Sequence, residues 1–192
     1  MPRKAKDASA TRELIQGTAL RLFVEKGVTE TTIRDLASAA GIAEGTLYRH
    51  YVSKDELVHD LFQTNYGAFG RKLRDVQQAH GAFPDKLAAM IETICQFYDS
   101  DPICFRFLLL AQHQALPRID TGADNPVQVL HNVIAEAMER GEITARDPDL
   151  ATGFVLGLLL QPAVLMVYGR LTPPFAALAP EITAACWRVL NP

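Results

Sequence analysis

Residues 32–51 read TIRDLASAAGIAEGTLYRHY, two short amphipathic segments separated by a glycine. The first segment begins at Thr32, and Asp35 three residues later completes the pattern of a capping box. It ends at Gly41, because a residue without a side chain permits the positive φ of a tight turn between helices. A second short helix is expected over about residues 43–50. Two short helices joined in this way are typical of a helix-turn-helix, whose second helix enters the major groove of DNA.

The second of these helices presents one polar face, which is the predicted DNA-contacting surface. Hydroxyl, imidazole and ammonium groups donate hydrogen bonds to phosphates, and a guanidinium reaches a guanine edge. Glu44 either accepts from the amino group of cytosine or weakens the approach of a phosphate. The residues assigned to this surface are Glu44, Gly45, Thr46, Tyr48, Arg49, His50 and Lys54. The alternative is an ordinary three-helix packing unit whose polar side chains only face solvent.

The rest of the chain shows helical spacing and no convincing strand, which predicts an all-α fold of about nine helices. The first helix is expected over residues 9–26 and the fourth over 53–80. Later helices begin where proline occupies the first turn: at Phe83-Pro84, Asp101-Pro102, Asn125-Pro126, Asp147-Pro148 and Pro173-Pro174. A loop is expected at 118–125. We predict a helix-turn-helix domain over residues 1–55 and a helical domain over 56–192 that binds a ligand and dimerises.

Charge is distributed unevenly between these two parts. The net charge of the 192-residue chain is −3, but residues 1–54 hold nine Lys/Arg against six Asp/Glu. A basic head on an acidic body fits a protein that presents one end to phosphate. The basic run at residues 3–6 either follows a neighbouring groove as an arm or is a solvated tail.

At this point the N-terminal quarter of the chain resembles the DNA-binding head of the TetR family. The resemblance implies DNA contacts at Thr32, Gly45, Thr46, Tyr48, His50 and Lys54. One departure is Ala43, where the family often has Ser or Thr, so the recognition helix lacks a cap worth about 1 kcal/mol. The matching motifs lie at residues 22–27, 31–37, 40–42, 45–51 and 53–57.

In TetR-like proteins the helices after the head enclose an inducer cavity. Such cavities are mostly apolar and carry a few placed polar groups. No cluster of Lys or Arg suggests an anionic site, so the implied effector is a small apolar or aromatic molecule. The candidate pocket residues are Tyr66, Met90, Phe97, Phe105, His113, Gln161 and Met166. For each of them, plain core packing is the alternative.

Residues 150–169 form an uncharged segment that is long enough to span a membrane. A helix buried in a monomer core and a dimer interface looks the same in sequence. The family builds its dimer from its last two helices, and small residues permit close helix approach. The candidate interface residues are Gly153, Gly157, Leu160, Val164 and Trp187. A membrane-tethered regulator that uses this helix as a span remains the alternative.

Enzyme chemistry has little support in the sequence. Glu56 and His59 form one ExxH pair, whereas a di-iron bundle needs two such pairs. Cys95, Cys104 and Cys186 lack CxxC spacing and are expected to be small hydrophobic residues in a reducing cytosol. No metal or cofactor is expected. We therefore predict a cytoplasmic homodimeric repressor that a ligand releases from a near-palindromic operator in double-stranded DNA. A helical enzyme or carrier without operator binding is the second alternative.

Overall fold

The computed structural model describes residues 2–115, 124–172 and 174–192, with side chains described at 8–111, 124–172 and 174–192. Within these ranges the chain forms nine α-helices, one short 3-10 helix and no strand, so the all-α prediction is confirmed. The α-helices are α1 Pro2–Lys26, α2 Ile33–Ala39, α3 Glu44–Tyr48, α4 Lys54–Gln78, α5 Phe83–Ser100, α6 Pro102–Ala115, α7 Pro126–Glu139, α8 Pro148–Val167 and α9 Ala179–Leu190.

Two helix starts differ from the prediction. Helix α1 begins at Pro2 rather than near residue 9, so the basic run at 3–6 lies within its range, although those side chains are outside the described set. Helix α9 begins at Ala179 and not at Pro173-Pro174, because a 3-10 helix, Phe175–Leu178, precedes it. The Asp99 carboxylate accepts the Phe175 and Ala176 amides at 2.7 and 2.8 Å and so caps that extra turn. Most of the predicted loop at 118–125 lies outside the described residues.

The capping predictions near the N-terminus are largely confirmed. Thr32 and Asp35 form a reciprocal capping box, and Ala43 provides no side-chain cap for α3. At the start of α4, Ser53 Oγ accepts the Glu56 amide at 3.1 Å. The Glu56 carboxylate accepts from the Val52 amide at 2.5 Å, one residue before the position that a standard box would use.

The chain divides into two compact units. The first comprises Met1–Asn65 with Ile103–Ile119. Its core includes Phe107 of α6, whose ring centroid lies 6.0 Å from that of Phe23 and 6.4 Å from that of Phe62. The first unit is therefore stabilised by α6, a helix that is distant in sequence from the head.

The second unit comprises Tyr66–Pro102 with Asp120–Pro192, and within it α5, α7, α8 and α9 pack together. Its buried residues include Met90, Val155 and Leu159. Cys95 and Cys186 are free and buried, and desolvation raises their thiol pKa values to about 12 and about 11. These cysteines are therefore unreactive small hydrophobic residues, as predicted.

Candidate nucleic-acid interface

Helices α2 and α3 form the predicted helix-turn-helix. Gly41 has φ of +65°, and its amide donates to Ser38 O at 3.1 Å, while the Ile42 amide donates to Ala37 O at 3.0 Å. This is a left-handed C′ glycine closing a helix. Leu36 and Leu47 are 1% and 0% exposed. Because the apolar sides of both helices are buried, α3 must present its polar side outward.

The predicted contact residues of α3 lie on that outward side. Tyr48 is 52% exposed, and Glu44, Gly45 and Arg49 are also exposed. The Arg49 Nη2 donates to Thr46 Oγ1 at 2.9 Å, so the guanidinium is held along the helix. The structure therefore places four of the assigned residues, Glu44, Gly45, Tyr48 and Arg49, on one exposed face, and Thr46 and His50 of the same segment are half-buried.

Thr32 is exposed at the N-terminus of α2, and its hydroxyl is tied to Asp35. The Asp35 carboxylate accepts from Thr32 Oγ1 at 2.8 Å, from the Thr32 amide at 2.9 Å and from Lys26 Nζ at 2.8 Å. The hydrogen bond from Lys26, together with those from Thr32, holds the pKa of Asp35 well below its ordinary value. Asp35 is therefore ionised at neutral pH and fixes Thr32 at the start of α2.

A polar network behind α3 went unpredicted. Tyr51 is 1% exposed, and its hydroxyl donates to Asp60 Oδ2 at 2.8 Å. Arg12 and Gln16 of α1 donate to the same Tyr51 oxygen at 3.1 and 3.0 Å. They also donate to Asp60 Oδ2 at 2.9 and 3.0 Å. The network joins α1, the segment between α3 and α4, and α4.

Charge and burial act on this network in opposite directions. Burial opposes ionisation of Asp60, but the hydrogen bonds from Tyr51, Arg12 and Gln16 outweigh it and lower the pKa of its carboxyl. Burial, with the adjacent Asp60, raises the pKa of Tyr51 to about 12. The tyrosine is thus a neutral donor and the aspartate a charged acceptor at neutral pH. Among the four residues, only Tyr51 has a sequence signal, as an expected packing residue of the helix-turn-helix.

Lys54 is placed differently from the prediction that it donates to a phosphate. Its Nζ atom lies 2.7 Å from Val28 O, 3.2 Å from Thr29 O and 2.9 Å from Thr31 O. The side chain therefore points to the loop between α1 and α2, and its three donors are directed to backbone carbonyls.

The predicted pocket residues fall into different environments. Met90, Phe105 and Met166 are buried at 0%, 6% and 5% exposure, and Phe97 packs its ring 4.7 Å from that of Phe69. The side chain of His113 is outside the described set. Gln161 is exposed on α8, four residues after the exposed Gly157, and its assignment to the pocket stays a prediction. The polar interruption at 161 marks the outer face of that helix, which periodicity in an uncharged segment does not reveal.

Tyr66 belongs to a contact between α4 and the start of α7. Its hydroxyl donates to Asn125 Oδ1 at 3.2 Å, and the same oxygen caps α7 by accepting the Val127 amide at 2.9 Å. Burial raises the pKa of Tyr66 to about 12. Gly70 allows the Asp124 carbonyl to lie against α4, and both Arg71 and Arg74 pair with the Asp124 carboxylate.

Helix α8 is long and apolar enough to cross a membrane by length and composition. One side of it packs within the second unit, where Ala151, Val155 and Ala163 are at most 1% exposed. The opposite side exposes Gly153, Gly157 and Phe154, the last at 40%. Leu160 and Val164 are half-buried beside that face.

A groove of about 740 Å³ opens between α5, the 3-10 helix and α9 in the same unit. Trp187 lines it and is 37% exposed. Leu87, Ala88, Ala184 and Arg188 are among its other lining residues. Among the described residues, no three His, Cys, Asp or Glu side chains converge to hold a metal ion.

Comparison with known proteins agrees with the geometry of the head. A family model for bacterial regulatory proteins of the tetR family matches residues 15–61. The transcriptional repressor KstR2 of Mycobacterium tuberculosis is 36% identical over 76 residues, which cover 40% of this chain and 38% of that protein. The regulator AcrR of Shigella flexneri is 32% identical over 102 residues, or 52% and 46% of the two chains. The chain thus matches less than half the length of these curated relatives.

Solved structures match the fold over nearly the whole chain. The fatty acid degradation regulator FadR of Bacillus halodurans superposes with a TM-score of 0.76 at 20% identity, covering 92% of this chain and 94% of that one. FadR of Bacillus subtilis, solved with stearoyl-CoA, gives 0.75 at 19% identity and covers 91% and 97%. The relatives named are regulators and not enzymes, which agrees with the prediction for this chain. Through residues 15–61, which hold the helix-turn-helix of its first unit, the chain is similar to bacterial regulatory proteins of the tetR family.

Proposed function

We propose that this protein is a ligand-responsive transcriptional regulator that represses by binding a near-palindromic operator. The observation that carries the proposal is the outward face of α3, where Glu44, Gly45, Tyr48 and Arg49 are exposed on a helix-turn-helix with a closed apolar side. An exposed set of hydroxyl and guanidinium donors on a short recognition helix suits phosphate positioning and base readout in a major groove. Thr32, Thr46 and His50 border this face and complete the proposed DNA contacts.

The acting species in this proposal is a homodimer. A palindrome is read by two heads related by a two-fold axis, with half-sites about one turn, or roughly 34 Å, apart. We assign the exposed side of α8 around Gly153 and Gly157 to the second copy, with Leu160 and Val164 beside it, and we keep Trp187 of α9 as a further proposed interface residue. Among the residues that the structure describes, none has an atom outside the helix's own nearby backbone within 4 Å of a Cβ added at either glycine. Neither glycine therefore packs against the described part of the protomer, which leaves space for the close approach of a helix from a second copy.

The same packing argues against a membrane span. Against a span stand the burial of Ala151, Val155 and Ala163 within the second unit and the polar Gln161 exposed on the opposite side. We propose that one side of α8 packs in the core of the second unit and the other in the dimer interface. We also propose that the protein acts in the cytoplasm, the compartment that contains bacterial DNA.

The effector in this proposal is a small apolar or aromatic molecule. Tyr66, Met90, Phe97, Phe105 and Met166 remain the proposed pocket residues, with His113, and the described ones among them are apolar or half-buried. A ligand that favours one arrangement of the heads changes operator affinity by shifting the population. Since FadR of Bacillus subtilis was solved with stearoyl-CoA, free stearate, which has the apolar chain of that ligand without its CoA group, is the first probe. Molecules that co-purify with the protein, identified by mass spectrometry, are the next.

Selection of bound duplexes from random DNA tests the central proposal. We expect enrichment of one near-palindromic sequence, and loss of binding to it in Tyr48→Ala. Tyr168→Ala, which removes a phenol that is 72% exposed in the second unit, is the control and should bind as the wild type does. Enrichment of no sequence would overturn the regulator proposal and favour a helical carrier or enzyme; partition of the protein with lipid would favour the membrane-tethered alternative.

A further inference from the structure

The amino group of Lys54 directs all of its hydrogen-bond donors to backbone carbonyls of the head. An ammonium has three N–H donors and no acceptor, and three carbonyl oxygens, of Val28, Thr29 and Thr31, lie within 3.2 Å of Nζ. Charge-assisted hydrogen bonds of this kind are stronger than neutral ones. A phosphate contact would therefore have to replace at least one bond that the folded head already makes.

The position of Lys54 in its own helix calls for such partners. It is the first residue of α4, where the positive end of the helix dipole disfavours a cation. Asp55 and Glu56 in the same turn are the residue types that this position favours. The partial negative charges of the loop carbonyls stabilise the Lys54 ammonium. They offset the unfavourable interaction of a cation with the positive end of the helix dipole.

The loop that Lys54 holds leads directly into the DNA-reading element. Gly27 has φ of +92° and ends α1, and Thr31 is 0% exposed with its hydroxyl donating to Gly27 O at 2.7 Å. The next residue, Thr32, is the N-cap of α2. Any displacement of the Thr31 carbonyl therefore moves the start of α2 and the proposed contact at Thr32.

We propose that Lys54 is a positioning residue: it ties the loop between α1 and α2 to the N-terminus of α4 and so sets the helix-turn-helix for DNA, without itself being a phosphate ligand. This proposal rests on the proposed function only for its DNA consequence. The clamp within the first unit is independent of it.

The test compares Lys54→Met with Arg34→Met, which removes a cation from the exposed side of α2 in the same unit. Three quantities are measured: Tm, exchange of the Thr31 amide, and the dependence of binding to a mixed-sequence duplex on salt. Loss of three charge-assisted bonds should lower Tm by about 4–8 °C and accelerate Thr31 exchange. It should weaken DNA binding about tenfold and leave the slope of log K against log[salt] unchanged. Arg34→Met should leave Tm and Thr31 exchange at wild-type values.

A direct phosphate contact gives the opposite pattern. Tm and Thr31 exchange would then stay unchanged, and the slope would fall by about one for each head; that result overturns the proposal, as does an unaffected protein. If Lys54→Met does not fold, Lys54→Arg keeps the charge but replaces a single donor atom by a planar fork. The proposal then requires that Lys54→Arg lower Tm and speed Thr31 exchange without altering the slope. Should the wild type bind no DNA, the proposed function fails, while Tm and exchange still decide whether the clamp exists.

Discussion

The Tyr51 hydroxyl donates to Asp60 Oδ2 at 2.8 Å, and this bond connects the segment that follows the recognition helix α3 to α4. Tyr51 is 1% exposed, and the Arg12 guanidinium lies 5.1 Å from the centre of its ring. Both oxygens also accept from Arg12 and Gln16 of α1. The ionised Asp60 carboxylate thus fixes the segment after α3 from the buried side of the helix-turn-helix, opposite the exposed face of α3.

Tyr51→Phe should destabilise the head. The change removes one donor to a charged acceptor and the acceptor of two further bonds, so we expect a loss of about 1–3 kcal/mol in the free energy of unfolding. Urea denaturation followed by circular dichroism measures it. Tyr48→Phe is the matched control, because Tyr48 is 52% exposed, and it should be as stable as the wild type. Equal stability of both variants would show that the Tyr51 bond contributes nothing.

Asp60 should contribute a stability that disappears in acid. Its pKa in the folded protein lies below the ordinary value, because three hydrogen bonds outweigh the burial that opposes ionisation. The contribution is therefore complete above the pKa of the unfolded chain, about 3.9, and is lost as pH falls through the folded value. The free energy of unfolding of the wild type should exceed that of Asp60→Asn near neutral pH, and the gap should narrow below about pH 4.

This comparison isolates Asp60 from other acids that titrate in the same range. Asp35 and Asp124 also have lowered pKa values, owing chiefly to hydrogen bonds from Lys26 and Arg71 respectively. Both are present in the wild type and in Asp60→Asn, so their titration cancels in the difference. A gap that is constant from neutral pH to acid would contradict the prediction.

Gly70→Ala should destabilise the second unit, because an added Cβ would overlap the backbone carbonyl of Asp124. Overpacking of this kind costs about 1–3 kcal/mol. Gly67→Ala, one turn earlier in α4, is the control. Its added Cβ would lie 3.5 Å from Arg71 Nη1, an ordinary contact, and alanine favours helix over glycine by up to about 1 kcal/mol.

Thermal denaturation of the two glycine variants decides this point. We expect Gly67→Ala to be at least as stable as the wild type and Gly70→Ala to melt earlier. If the two variants melt together, the close approach of Asp124 to α4 is not a feature of the protein in solution.

Gly157→Leu should weaken dimerisation and leave the protomer folded. A Cβ added at Gly157 meets none of the described residues within 4 Å, and leucine is a better helix former than glycine. In a packed dimer the extra side chain costs about 1–3 kcal/mol, or roughly a ten- to hundredfold higher Kd. Sedimentation equilibrium measures the Kd, and circular dichroism checks the fold. Gly17→Leu, at an equally open and exposed site on α1, should associate as the wild type does; the same Kd for both variants would remove α8 from the interface.

Local chemistry along the chain determined the helices and the helix-turn-helix. Gly41 predicted the turn, Thr32 with Asp35 the cap, and prolines the starts of α5, α6, α7 and α8, because each of these acts within one helical turn. The same local reasoning placed the start of α9 too early, since the cap that creates the preceding 3-10 helix comes from Asp99, 76 residues before Phe175.

Tertiary structure alone decided what several polar side chains do. Nothing near Asp60 in sequence shows that Tyr51, Arg12 and Gln16 meet it, and the separation of Arg12 from Asp60 is 48 residues. Lys54 reads as a phosphate donor in its own segment, yet its amino group lies on carbonyls 23 to 26 residues earlier. Gln161 interrupts an uncharged helix in the sequence, and only the packing of that helix shows that it lies on the exposed side. Long polar side chains such as those of lysine and arginine can reach several neighbouring groups. Only the packing of helices that are distant in sequence decides which of these groups they contact.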